Sequence, residues 1–457
     1  MWNRLLIFKK CYYSCIWLLL LFSLTQSSCK KDNNPPDYPA GSNQYINNWV
    51  LDSMKVYYYW SSELPSKPNF NAEPSDFFSS IKNSRDKFSR LTNPAVRESY
   101  YPSLVHNFGF ELVVFQESSG EVKTNVAMVV PGTQAQTIGL ERGSIVKTIN
   151  GTKPSGSNIA DLIQSAIAQR KISLDIEGKG ELTLGAALIS ENPVYLHKVF
   201  NNGGKAIAYL FYNSFEGRSK YDLEAAFASF KAANVSELII DLRYNPGGDI
   251  GMSAALAAIL SNVNQSDIFV EYRGNKNAGT RRESFEKTIS NIAPGYSFSF
   301  DELKAMRLNL NRVFVLTGTH TASAAEFLIK GLKPWVNVIQ IGASTLGKDM
   351  ASFAIRDGNS SKNNNWSIEP MIFKLYNSNS EGDYPSGLVP DISANEFSEA
   401  LVPFGDANDP LIKSALARIN GAARVSTFSA KAAPRLLYDS RELMDKNAGQ
   451  VKIQRLP

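Results

Sequence analysis

The sequence predicts an α/β, multi-domain protein, with a small N-terminal helical bundle, a β-rich domain and a core built on a mixed or parallel sheet. Three observations predict this. At 457 residues the chain is too long for one compact core. Between about 104 and 182, short apolar runs alternate with Pro-Gly and Asn-Gly turn signals, the texture of short strands. From about 190 onward, strand-like and helix-like segments alternate, which argues for a parallel sheet covered on both faces. The expected boundaries are a signal segment over 1–29, a polar tether over 30–43, the helical domain over 44–100, the β-rich domain over 101–185, the core over 186–420 and a tail over 421–457.

The elements follow in order. Ile46, Trp49, Val50, Met54 and Tyr57 recur at helical spacing, with Ser42 as a cap. A second helical stretch runs around "PSDFFSSIKNSRDKFSRL". "NFGFELVVF" and "VAMVVPGTQAQTIGLERGSIVKTINGTKP" read as strands and turns, closed by the helix "NIADLIQSAI". In the core, "AIAYLFYNSF", "SELIIDLR", "RVFVLTG" and "NVIQIG" read as strands. "KYDLEAAFASFKAAN", "MSAALAAILSN" and "SAAEFLIKGLK" read as helices. The tail is polar and weakly patterned, and is expected to be peripheral.

A formal charge of +5 and the lack of a dense basic stripe give no sign of a nucleic-acid binder. The cysteines are Cys11, Cys15 and Cys29, so no disulfide framework or cysteine metal site exists downstream. His106, His197 and His320 are far apart in sequence, which argues against zinc. The start has a basic end, then the apolar run Ile16 to Leu24, too short to span a bilayer. Small residues then precede Cys29. This resembles the lipobox of bacterial lipoproteins, with Gln26 where Leu is common. It implies lipidation at Cys29 and a membrane anchor outside the cytoplasm. The alternative is a plain secretory signal with an incidental cysteine.

Ligands of parallel sheets sit beyond the carboxyl ends of the strands. Those ends carry "RYNPGGD", "TGTHTAS" and "GASTLGK". Ser323 falls at the mouth of a helix, where free N–H groups can hold a developing oxyanion. As an isolated serine it reads first as a helix cap. Lys348 stands in the next loop, 25 positions on. Buried among uncharged neighbours it would lose its proton and serve as a base; by itself it also reads as a surface lysine. Gly247 and Gly248 offer backbone N–H groups without side chains, and one of them could join the Ala324 N–H as an oxyanion donor. They equally suit a tight turn.

"LIIDLRYNPGG", "TASAAEFLIKGL", the Ser323-to-Lys348 spacing and "GLVPDI" together resemble the carboxyl-terminal processing, or tail-specific, serine proteases. "YYYW", "DKFSRL" and "NDPLIKSALARI" are similar to members from Bacteroidetes-type bacteria. "NFGF" and "GLERGSIVKTING" resemble a PDZ domain, in which a peptide C-terminus adds as a strand and backbone N–H groups hold its carboxylate. The resemblance implies a ClpP/crotonase-like core, Ser323 as nucleophile and Lys348 as general base. It implies Ala324 with Gly247 or Gly248 as the oxyanion hole, and Phe108, Gly109 and Phe110 as the carboxylate loop. Arg243 and Glu326 take structural roles. The implied partners are protein or peptide substrates with free C-termini. Neither cofactor nor metal is implied. Two positions depart from the family pattern: Ser352 stands where many relatives have a glutamine that orients the lysine, making it at most a helper, and Ala325 replaces a second serine.

Three rivals remain at this level. "GASTLGKD" matches most of a phosphate loop, but Asp349 stands where Ser or Thr must hold magnesium. His320 as the base would need an unusual turn, being three residues from Ser323. A peptide-binding envelope scaffold with a degenerate protease fold is the non-enzymatic alternative.

Overall fold

The computed structural model describes residues 38–96, 103–421 and 434–442. The segment 1–29 with Cys29, and the start of the tether, lie outside them. Helix α1 (Asn43–Tyr57) begins where the Ser42 side chain accepts from the Tyr45 amide. Helix α2 (Pro74–Ile81) opens on a proline, whose missing N–H costs nothing at a first helical position. The second helical stretch ends there, and Arg90 and Leu91 pass instead into strand β1 (Arg90–Thr92). Val50, Met54, Phe77 and Ile81 share one core with Leu256 and Phe373 of the α/β region. The two helices therefore lean on the core and do not close a bundle of their own.

The β-rich region contains helix α3 (Leu104–Phe108), strands β2 (Phe110–Gln116), β3 (Val122–Val129) and β4 (Val146–Ile149), helix α4 (Ile159–Gln169), and strands β5 (Lys171–Ile176) and β6 (Gly180–Gly185). β2 pairs antiparallel with β3, and β4, β5 and β6 form a second sheet. Phe108, Phe110, Leu112, Ile149, Ile163 and Leu174 close a separate apolar core between them.

The core continues with β7 (Val194–Asn202), β8 (Lys205–Tyr212), helix α5 (Lys220–Ala232), β9 (Glu237–Asp241), helix α6 (Ile250–Leu260), β10 (Ile268–Arg273), β11 (Thr280–Ser284) and β12 (Arg312–Thr317). Helix α7 (Ala324–Leu332), β13 (Asn337–Gly342), β14 (Met350–Ala351), β15 (Ile355–Arg356), β16 (Ser367–Glu369), β17 (Phe373–Tyr376), β18 (Ile392–Ser393) and helix α8 (Pro410–Ile419) follow. The main sheet has the order β18-β13-β12-β9-β8-β7, parallel except for the antiparallel edge strand β7. Leu238, Ile240, Val313 and Val315 face the helices α5, α6 and α7. Ile239, Phe314, Leu316 and Ile341 face α8 and residues Val105 and Met128 of the β-rich region. Burial on both faces explains why these strands read as continuous apolar runs. Leu316 pairs with Asp241 and Thr317 with Gly342, so the three strands end side by side.

The tail, expected to be peripheral, supplies strand β19 (Arg435–Asp439), which pairs antiparallel with β2. The alternation in "PRLLYDS" is too short to announce a strand without its partner.

At the end of β9, the fully buried Arg243 donates to Asp241, Asp409 and Glu396 at 2.7–3.2 Å. Asp409 also caps α8, accepting from the Leu411 and Ile412 amides. A buried guanidinium is tolerated only while its partners are present. Asp409→Ala is expected to cost about 3 kcal/mol or more of stability. Urea unfolding measures this, and a loss under about 1 kcal/mol would remove the network's structural importance.

Candidate active site

Three crossover loops meet at the carboxyl edge of the sheet, stitched by backbone bonds. The Ala322 amide donates to Asn245 O at 3.0 Å, and the Leu346 amide to Thr321 O at 2.9 Å. The Thr321 hydroxyl donates to Leu242 O at 2.7 Å. Between β12 and α7, Ser323 takes φ 60° and ψ −119°, a conformation disfavoured for any residue with a Cβ. It is fully buried, and its Oγ has no hydrogen-bond partner among the described residues. Ser323 stands at the N-cap of α7 and its amide is held by Glu326, as in a capping box, while its hydroxyl is left without a hydrogen bond of its own among the described residues.

The carboxylate of Glu326, in the first turn of α7, ties the serine loop to the lysine loop. Its Oε2 accepts from the Ser323 amide and from the Lys348 amide, each at 2.8 Å. Its Oε1 accepts from the Gly347 amide at 2.7 Å and from the Thr345 hydroxyl at 2.5 Å. Burial pushes this carboxyl up to about 7, against the pull of those four donors.

Lys348 is 1% exposed. Burial is the main cause that pulls its ammonium down to about 7, with Arg90 adding repulsion; Glu369, Glu326 and Asp86 oppose the shift. Its Nζ lies 5.5 Å from the centre of the Phe88 ring. Asp349, its sequence neighbour, faces Lys374 at 3.6 Å. The Ser352 hydroxyl, buried on the same segment, has no hydrogen-bond partner among the described residues.

Gly247 packs directly on the serine. A Cβ built on it would lie 2.6 Å from Ser323 Cβ and 2.9 Å from the Ala324 amide. With φ 105° at Gly247 and 136° at Gly248, only glycine fits this approach. The Gly247 N–H is committed to Asn245 Oδ1 at 2.8 Å, which removes it as an oxyanion donor. The N–H groups of Gly248 and Ala324 donate to nothing among the described residues.

In the carboxylate loop expected at Phe108, Gly109 and Phe110, the glycine amide is already engaged. Gly109 ends α3 at φ 81°, and its N–H donates to Val105 O at 2.8 Å. Phe108 and Phe110 point into the apolar core. A helix C-cap and a carboxylate loop both use a glycine before a strand, and the sequence does not separate them. His320 is turned away to the tail, its Nε2 3.0 Å from Asp439 Oδ2.

Phe88 and Arg90 border Lys348 and lie within "DKFSRL", a stretch whose sequence gives no sign of a place at the site. Arg90 pairs with Glu369 at 2.9 Å, and both line a cleft of about 720 Å³ with Trp366, Arg356, Asp357 and Ser367. Among the described residues, no group of three or more His, Cys, Asp or Glu could hold a metal ion. No described helix is long and apolar enough to cross a membrane.

A parallel sheet that delivers a strained serine to a helix mouth, with a buried lysine on the adjoining loop, has the parts that serine-nucleophile hydrolases use. Residues 206–394 match the model of peptidase family S41, and residues 45–90 match that of the peptidase S41 N-terminal domain. By these matches and its relatives, the chain belongs to peptidase family S41, a family of serine peptidases. It is 22% identical to the carboxy-terminal processing protease CtpA of Bacillus subtilis over 72% of its own length and 65% of the relative's. It is 22% identical to carboxyl-terminal-processing peptidase 1, chloroplastic, of Arabidopsis thaliana over 60% of its length and 54% of the relative's. The chain thus spans between about half and two thirds of these curated relatives. A candidate S41 protease from Bacteroides fragilis NCTC 9343 superposes with a TM-score of 0.68 at 24% identity, covering 85% of this chain and all of that one. That likeness shows a shared fold.

Replacing Glu326 by glutamine swaps one acceptor oxygen for an amide that faces the donors. Glu326→Gln is expected to cost about 2–4 kcal/mol through the groups left unsatisfied. Chemical denaturation checks this, and a neutral effect would break the proposed link between the two loops.

Proposed function

We propose that the protein is a serine endopeptidase working through a Ser323–Lys348 dyad. The observation that carries this reading is a lysine held almost free of solvent, its amine drawn toward neutrality by burial, on the loop that Glu326 ties to the serine. Ser323 Oγ attacks the substrate carbonyl carbon and its proton passes to Lys348 Nζ. The oxyanion takes hydrogen bonds from the Ala324 and Gly248 amides. The C–N bond breaks, and the leaving amine takes the proton back from Lys348. Water, deprotonated by the same amine, then clears the acyl-enzyme. Ser352, buried four residues after the lysine with its hydroxyl unpaired among the described residues, is the candidate helper.

The substrate class is protein or peptide, in keeping with the named relatives, which process carboxyl termini. The PDZ-like region is read as the capture module. Since Gly109 has no amide to offer, capture rests on strand addition to β2 more than on carboxylate binding. A lipid anchor at Cys29 would hold the enzyme in the bacterial envelope. Cys29→Ser is then expected to move the protein from the membrane to the soluble fraction of its host.

Digestion of a mixed peptide library, followed by mass spectrometry, tests the activity. Wild type is expected to cleave, and Ser323→Ala and Lys348→Met to lose about 10³-fold or more. The wild-type rate should rise with pH through about 7, as the amine becomes neutral, and then level off. Undiminished cleavage by Lys348→Met would end the dyad reading.

A further inference from the structure

Residues 435–441 lie where a captured peptide would bind. β19 runs antiparallel along the free edge of β2, on the side opposite β3. The register slips between Leu436 and Tyr438, and the Leu437 side chain lies against Gly156, just ahead of α4; a Cβ built on Gly156 would sit 3.0 Å from Leu437 Cβ. Leu437 and Tyr438 pack on the same core as Ile159 and Ile163 of α4. Beyond the strand, the Leu112 amide donates to Ser440 Oγ at 2.8 Å, the Ser440 amide donates to Leu112 O at 2.9 Å, and the Ser440 hydroxyl bonds the buried Glu111. This is strand addition to a sheet edge with an apolar anchor against a helix.

The same segment touches the serine loop and the glycine loop. Asp439 pairs with His320, three residues before Ser323. Arg441 chelates Asp439 and stacks on Tyr244 at 3.4 Å from ring centre to guanidinium carbon, and Tyr244 belongs to the glycine loop. A buried ion pair adds little net stability over apolar contacts, so a clamp of this kind is releasable. Ser323, meanwhile, is sealed from solvent.

We propose that the β2 edge is a docking groove for an extended internal peptide segment, and that residues 435–441 of this chain are its resident occupant, which an incoming strand displaces. The partner's chemistry follows from the occupant: an apolar side chain where Leu437 sits, a hydroxyl where Ser440 meets the buried Glu111, and a chain that continues, as this one does through Arg441. Displacement frees His320 from Asp439 and Tyr244 from Arg441, so docking is felt at the serine loop and the glycine loop. This deepens the peptidase reading and rests on it only for the consequence, not for the binding.

The test uses the full chain in a Ser323→Ala background, so that binding is read without cleavage. The probe is a fluorescent, isotope-labelled peptide with the sequence of residues 434–442. A tethered occupant competes at an effective concentration on the order of millimolar. Leu437→Asp is therefore expected to bind the probe about tenfold or more tightly than the parent. Equal affinity would overturn the proposal. Should Leu437→Asp fail to fold, hydrogen exchange on the unaltered groove decides. Saturating probe is expected to abolish protection of the amides of residues 435–440, and unchanged protection with probe bound would show β19 to be a permanent strand. If the groove behaves as expected and the peptide library stays uncut, the peptidase reading fails and the groove stands.

Discussion

The carboxylate of Glu326 is the contact on which the site depends. Ser323 and Lys348 sit on separate crossover loops, each of which carries unpaired backbone amides at the edge of a sheet. One buried carboxylate satisfies the amides of Ser323, Gly347 and Lys348 together with the Thr345 hydroxyl. Buried donors left without acceptors are costly, so the shared acceptor holds the loops in one arrangement more firmly than side-chain packing could. The strained backbone of Ser323 persists because its own amide is one of those donors.

Around this tie, distant parts of the chain supply the dry surroundings that the lysine needs. The N-terminal segment contributes Phe88 and Arg90, and the β16 strand contributes Glu369. Arg90 disfavours the ammonium, while Glu369 and Asp86 favour it, and burial outweighs both. The segment that follows α2 is thus part of the wall of the site, while α1 and α2 share the main core and do not form a bundle. Arg142 of the β-rich region reaches Glu396 and the Tyr244 hydroxyl, so that region is joined to the glycine loop by its own charge network as well as by the tail.

Much of the architecture was legible in the residues. The apolar runs of β8, β9, β12 and β13 announced a buried parallel sheet, and a parallel sheet necessarily brings "RYNPGG", "TASAAE" and "GASTLGK" to one edge. The roles of Gly247 and Gly248 were only half legible. Both suit a tight loop, but which amide remains open depends on Asn245 turning its side chain onto Gly247. "NFGF" was ambiguous in a similar way, because a glycine after an apolar residue serves a helix cap as readily as a carboxylate loop. Residues 435–441 gave no local signal, since their strand exists only by pairing with a partner more than 300 residues earlier in the chain.

The order of strands and helices, the identity of the nucleophile and base candidates, and the lack of cysteines after Cys29 were determined by the sequence alone, because periodicity and residue chemistry are local properties. The burial that lowers the Lys348 ammonium, the engagement of the Gly247 amide by Asn245, and the filling of the β2 edge by β19 were decided by tertiary structure. Each depends on which groups exclude water from one another or compete for one hydrogen bond, and those groups come together only when the chain has folded.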